Sequence, residues 1–167
     1  CAEGFESGAL LDAVVASSES QRQQLWSIRE SIPEAQNHAG VCVKHDVSVP
    51  VSRVPEFLER GTKLLTDAYH EAQVIAFGHM GDGNIHFNLQ QPEGEDPELF
   101  MKEAPRITRA VHDLAAEFEG SFSAEHGIGA LKRKDLYGYK SEVEIELMRS
   151  LKKALDPKGI MNPGKVI

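Results

Sequence analysis

Cysteine, tryptophan and long apolar runs are all scarce in this chain. Of its 167 residues only Cys1 and Cys42 are cysteines. They lack the close spacing of a thiolate metal site or a redox pair, so both read as free thiols of a reducing compartment. No apolar stretch approaches the ~20 residues that a spanning helix needs, and no signal peptide is read at the start. Positive charge is also short: 18 Lys and Arg face 26 Asp and Glu, for a net charge of -8. That balance argues against nucleic acid and against an anionic membrane surface as partners. It still admits a small anionic substrate, because a site can be basic locally. Also missing is a Gly-rich strand–turn–helix fingerprint, so no segment reads as the binder of a whole dinucleotide cofactor. The first residue is Cys1 rather than Met, and the start of the gene product is expected elsewhere.

What remains is the composition of a soluble globule, one domain or a piece of a larger chain. A chain of this size buries about 68–70% of its unfolded surface, so a core needs no staples. Residues 1–10 read as the frayed tail of a helix, and the valine-rich run Leu11–Ala16 as a strand. Ser17-Ser18-Glu19 supplies cap chemistry for a helix through Gln21–Ser31, with Leu25, Trp26 and Ile28 toward the core. Pro33 either breaks that helix or opens a second short turn ending at Gly40. Val41–Val51 alternates as a strand. Pro55–His70 is amphipathic, with Val54, Phe57, Leu58, Leu64, Leu65 and Ala68 in one stripe. Pro97–Phe118 reads as one long helix, Ser121–Ala124 as a short strand, and Ala130–Lys134 as the start of a helical turn. The last helix is Ser141–Leu155, with Leu147, Met148, Leu151 and Leu155 facing in, before an extended tail. Strands interleaved with single helices predict an α+β fold: a mainly antiparallel sheet with helices on one face.

The most informative stretch is Gly78-His79-Met80-Gly81-Asp82-Gly83-Asn84-Ile85-His86. Asp82-Gly83 is the preferred pair for a two-residue hairpin turn. With strands Ala72–His79 and Asn84–Gln90, that turn sets His79 directly opposite His86. Directly paired residues have Cβ atoms roughly 4.5–5.5 Å apart, and both imidazoles leave one face. Two imidazoles so placed can share a metal ion, at Zn–N distances of about 2.0–2.1 Å. Asn88 shares their face, while Ile85, Phe87 and Leu89 form the core face. The stretch reads equally as an ordinary tight hairpin with incidental histidines.

A metal site there needs a third ligand, and Glu125 in Ser123-Ala124-Glu125-His126-Gly127-Ile128-Gly129 is the candidate. Two histidines and a glutamate, with one position open, suit a catalytic zinc. Neighbours on a straight strand point apart, so the glycine-rich bend has to bring Glu125 and His126 into one site. A solvated Glu–His pair is the alternative. Arg29 suits bidentate grip on a carboxylate. Lys44 is a charge inside an alternating apolar strand, which needs a reason. Each also reads as a plain solvent-facing cation. His38, His45, His70 and His112 show no ligand spacing and read as surface or helix-end groups.

Three motifs in order now carry a resemblance: Gly78 to His86, Ser123 to Gly129, and Asp156-Pro157-Lys158-Gly159-Ile160-Met161-Asn162-Pro163-Gly164-Lys165. Together they resemble the C-terminal domain of the FAD-linked oxidases, the flavin D-2-hydroxy-acid dehydrogenases that include D-lactate dehydrogenase, glycolate oxidase and D-2-hydroxyglutarate dehydrogenase. The resemblance covers nearly the whole chain, 1–167. It implies a ferredoxin-like cap domain with a C-terminal helical tail, covering an FAD and shaping the substrate site. It further implies that His79, His86 and Glu125 hold Zn²⁺ or another divalent metal and that His126 is the general base. Arg29, Lys44 and Asn88 would bind substrate, and Asn162 would approach the flavin. The substrate would be a small 2-hydroxy acid, and the electron acceptor a protein or quinone. A homo-oligomer is expected, in the cytoplasm of a bacterium or a mitochondrion.

Two departures shape the expectation. The flavin-binding domain, and a strand expected before residue 1, are not in this chain, so it reads as a fragment inactive by itself. Pro33 offers no donor where 2-hydroxyglutarate enzymes place a hydroxyl, which favours D-lactate or glycolate. The rival readings are a metal-dependent hydrolase and an inert interaction module.

Overall fold

A computed structural model describes residues 2–167; Cys1 lies outside the described residues. The chain forms two compact units, Cys1–Gly40 and Val41–Ile167. The first contains α1 (Ala2–Glu6), α2 (Glu19–Glu30) and α3 (Ile32–His38). Ser18 caps α2 by accepting the Gln21 N–H, and Pro33 sits in the first turn of α3, where a missing N–H costs nothing. Two expectations fail here. Leu11–Ala16 is irregular rather than a strand, with Leu11, Val14 and Val15 exposed. A strand needs a paired neighbour, and this unit has no other strand among the described residues. Leu25, Trp26 and Ile28 are exposed, not inward, and α2 buries nothing.

The second unit carries the sheet: β1 (Cys42–Val43), β2 (Asp46–Ser48), β3 (Gln73–His79) and β4 (Asn84–Gln90). Its helices are α4 (Val54–Ala68), α5 (Pro97–Lys102), α6 (Ala104–Glu117), α7 (Arg133–Tyr139) and α8 (Glu142–Leu155). All pairings are antiparallel, as the α+β reading expected. Central β4 has β3 on one side and β1 and β2 end to end on the other. Cys42↔Gln90 and Asp46↔His86 belong to one register, so β1 and β2 are one strand interrupted at Lys44-His45. The interruption has a chemical cause. Phe87 N–H still donates to the His45 carbonyl at 3.1 Å. The His45 N–H, however, donates to Asn88 Oδ1 at 3.0 Å, and His45 Nδ1 takes the Phe87 carbonyl at 2.6 Å. Two side chains thus replace one backbone bond of the ladder.

The core face of β4 presents Ile85, Phe87 and Leu89 to α4 and α6, where Phe57, Leu65, Ile107, Val111 and Ala115 are buried. Phe57 meets Phe87 and Phe118 edge-on, at centroid distances of 5.4 and 5.6 Å. Leu64 and Ala68, expected in the α4 stripe, are exposed. The expected helix 97–118 breaks at Glu103 into α5 and α6. Pro105 is the reason: it lacks an N–H and clashes with the preceding turn, so a new helix must start there. On α8 only Ile145 is buried, packed with Phe122, Leu136 and Met148, while Leu147, Leu151 and Leu155 are exposed. Of the four residues expected to face in, Met148 packs on the covered face and the three leucines lie off it.

The hairpin register is also corrected. Met80–Asp82 forms a 3₁₀ turn closed by left-handed Gly83, so the loop has four residues, not two. His79 pairs with Asn84, and His86 pairs with Phe77. Gly83 has no substitute: φ is 68°, and a Cβ would lie 2.0 Å from the Val49 carbonyl oxygen.

His45 and His112 are buried rather than superficial. Burial lowers the pKa of both, His45 to about 4. A carbonyl only accepts, so neutral His45 carries its proton on Nδ1 and its Nε2 accepts from the Thr108 hydroxyl at 3.2 Å. Protons therefore bind the unfolded chain better than the folded one between the two pKa values. Stability is expected to fall as pH drops from about 6.5 toward about 4. Urea unfolding across that window checks this; a flat profile would contradict it.

Candidate functional site

The site is built on the second face of β4. Asn84, His86 and Asn88 alternate there, and Asp46 of β2 lies directly opposite His86. Asp46 is 1% exposed, so its charge needs internal partners. It finds them in the turn that follows Ser121. Oδ2 accepts the backbone N–H groups of Ala124, Glu125 and His126 at 3.1, 2.9 and 2.8 Å. Oδ1 accepts Asn84 Nδ2 at 2.8 Å. Burial works against the ionised carboxyl, but the His126 and Glu125 N–H bonds and then Asn84 outweigh it, and the net pKa is lowered. The same turn is hung on β2 by the main chain. Ser48 and Ser121 exchange two backbone bonds at 2.9 and 2.8 Å, and the Ala124 N–H reaches the Asp46 carbonyl at 3.1 Å.

This clamp presents two side chains to β4. Glu125 Oε1 lies 2.9 Å from His86 Nε2. The His126 ring stacks on His86, with centroids 5.3 Å apart and planes at 29°. His86 Nδ1 lies 3.9 Å from Asp46 Oδ1, and His126 Nδ1 lies 3.9 Å from Asp46 Oδ2. Ligand atoms of Asp46, His86, Glu125 and His126 all fall within 4.8 Å of one another. The bend thus brings Glu125 and His126 to one place, as the spacing required. Imidazole and carboxylate donors are those a zinc ion takes. Oδ2 of Asp46 already accepts three N–H groups, which makes Asp46 the support of the cluster more than a member of a coordination sphere.

The remaining candidates are placed as follows. His79 is exposed at the end of β3; it shares the face of His86 but lies outside that cluster. Asn88 is buried, with Oδ1 committed to the His45 N–H. Lys44 is exposed at the strand interruption, across from Asn88 by the register of the flanking pairs. Arg29 is half-buried on α2 in the first unit. Asn162 is exposed with φ 47° in the C-terminal tail. Asp156 fixes that tail by accepting the Ile160 and Met161 N–H groups at 3.0 and 2.9 Å. Sequence reasoning missed Asp46. Its signal was available: an acidic residue in the apolar alternation of Val41–Val51, one position from the conspicuous Lys44-His45.

The profile of the FAD linked oxidases, C-terminal domain, matches residues 1–166. The chain belongs to that family. Relatives include the D-2-hydroxyglutarate dehydrogenase of Stutzerimonas stutzeri (strain A1501), 40% identical over 96% of this chain and 34% of that protein. The mitochondrial D-2-hydroxyglutarate dehydrogenases of Arabidopsis thaliana and Rattus norvegicus are 38% and 40% identical. They cover 99% and 98% of this chain, and 28% and 29% of their own lengths. The chain therefore spans about a third of the curated relatives it matches. Both bacterial and mitochondrial members occur, and no described helix is long and apolar enough to cross a membrane.

The Asp46 clamp gives a direct test. Asp46→Ala should cost about 1.5–3 kcal/mol, the worth of hydrogen bonds to a charged group, and should speed amide exchange at Glu125 and His126. Urea unfolding and exchange measured by NMR check both. A change under about 0.5 kcal/mol, the range of ordinary surface substitutions, would contradict the clamp.

Proposed function

We propose that this chain is the substrate- and metal-binding domain of an FAD-dependent dehydrogenase that oxidises a D-2-hydroxy acid to the 2-oxo acid. The observation that carries the reading is the convergence of His86, Glu125 and His126 over one buried carboxylate, in a member of this family. The names of the relatives favour D-2-hydroxyglutarate over the D-lactate or glycolate that Pro33 suggested. Arg29 in the first unit and Lys44 in the second are each candidates for binding a substrate carboxylate. Family membership also weighs against the hydrolase alternative.

In this reading His86 and Glu125 would hold a divalent ion such as zinc, with His79, on the same face of the sheet, as the third ligand. The ion supplies Lewis acidity toward the substrate hydroxyl and carboxylate, and FAD, bound outside this chain, supplies the hydride acceptor. His126 removes the hydroxyl proton. Its ring is largely exposed to incoming substrate, and Asp46 beside Nδ1 stabilises the imidazolium that forms. Asn88, whose Oδ1 accepts the His45 N–H, is the substrate-binding candidate on the same face of β4. Asn162 would approach the flavin, whose electrons would pass to an acceptor protein or quinone. The compartment, bacterial cytoplasm or mitochondrion, and homo-oligomeric assembly belong to the same proposal.

Ligand and base should fail differently on substitution. His86→Ala or Glu125→Gln should abolish zinc binding by the chain, and His79→Ala should weaken it. His126→Ala should keep the metal, while slowing flavin reduction in the flavin-containing protein by about 10²–10⁴-fold, the usual size of general-base catalysis. Zinc stoichiometry beside stopped-flow reduction separates these cases. If His126→Ala loses zinc as fully as His86→Ala, the two roles are exchanged.

A further inference from the structure

The turn that carries Glu125 and His126 needs more than the Asp46 clamp. Asp46 holds its backbone from β2, but Gly127 and Gly129 follow with φ of 71° and 53°, and no Cβ limits their freedom. A loop with that freedom spreads its ligand and base over many positions unless its far side is also tied. Lys132 ties it. The Lys132 backbone N–H donates to the Ile128 carbonyl at 3.2 Å. Its ammonium donates to Ser123 Oγ at 3.0 Å. Ser123 Oγ in turn donates to the Gly127 carbonyl at 2.9 Å. A hydroxyl has one proton, so the direction of this relay is fixed: ammonium to hydroxyl oxygen, hydroxyl proton to carbonyl. Ser123 and Gly127 flank Glu125 and His126, so the relay closes the turn across the two functional side chains.

The charge also matters. Lys132 is half-buried, and burial pushes its pKa down, while the charges of Asp46 and Asp135 favour the ammonium. One cation thus feels the field of the carboxylate that clamps the turn and donates to the hydroxyl that closes it. A surface lysine with a single chance contact would do neither. Charge-assisted donors of this kind hold geometry better than neutral ones.

We infer that Lys132 is a positioning residue: through Ser123 it sets the spacing between Glu125 and His126, and so the affinity of the site for its metal. The inference rests on the metal reading above. Nothing in it requires Lys132 to touch substrate or metal.

The test uses zinc titration of this chain for wild type, Lys132→Met, Lys132→Arg, Ser123→Ala and the Lys132→Met/Ser123→Ala double variant. Lys132→Met should weaken zinc binding by about 10–100-fold, the usual effect of removing a group that orients a ligand. Ser123→Ala should weaken it similarly, and the double variant should be no worse than the weaker single one, because both break one relay. Lys132→Arg, which keeps charge and donors, should retain more affinity than Lys132→Met. Wild-type affinity in Lys132→Met, or losses that add in full, would overturn the inference. Amide exchange at Glu125 and His126 is the second readout and needs no metal. It should quicken in Lys132→Met, and unchanged exchange there would overturn the inference too. Absence of zinc binding by wild type would instead sink the metal reading, and the exchange result alone then decides the role of Lys132.

Discussion

The rest of the site depends on one buried charge. Asp46 is a carboxylate buried between β4 and the turn at 124–126, and protein N–H donors reach both of its oxygens. Each of those donors comes from a segment that carries a functional group. The turn N–H groups belong to the residues that present Glu125 and His126. Asn84 begins the strand that presents His86. Satisfying one carboxylate therefore brings His86, Glu125 and His126, the proposed ligands and base, together from two distant parts of the sequence. The cost of burying Asp46 unsatisfied is what makes the arrangement specific.

The sheet supplies the complementary constraint. β4 has one face in the core, with Phe87 and Leu89 fully buried, and one face toward the site. A slip of one residue would exchange Phe87 with His86 and ruin both faces. This explains how the hairpin was legible in part. The Asp82-Gly83 signal placed the turn but missed the 3₁₀ geometry of Met80–Asp82, so partners are shifted by two. An even shift preserves faces, so the core and site faces of β4 were assigned correctly while the direct pairing of His79 with His86 was not.

Other readings failed where tertiary context decides. Asp46 has no ligand spacing, and its importance lies in backbone donors nearly 80 positions away. His45 and His112 looked peripheral because nothing local marks a histidine as buried; their burial follows from Thr108, the Phe87 carbonyl and neighbouring rings. Leu11–Ala16 and the outer leucines of α8 are apolar without being covered, and periodicity does not tell which apolar face finds a partner. The break at Pro105 was readable from the residue alone. The motifs, by contrast, were legible because turn chemistry and donor types are local. Gly83, Gly127 and Gly129 all adopt the left-handed backbone that such tight turns require.

The sheet turns one face to the core and the other to the cluster of Asp46, His86, Glu125 and His126. The chemistry proposed for that second face is a metal held by His79, His86 and Glu125 with His126 beside it as base. Anomalous diffraction at the zinc edge, from crystals of the chain grown with zinc, tests this most directly. The account predicts one strong peak about 2.0–2.2 Å from His86 Nε2 and a Glu125 oxygen, with His79 swung in as the third ligand and His126 outside the sphere. A peak coordinated by His126 or Asp46 without His79, or no peak at this face of β4, would contradict it.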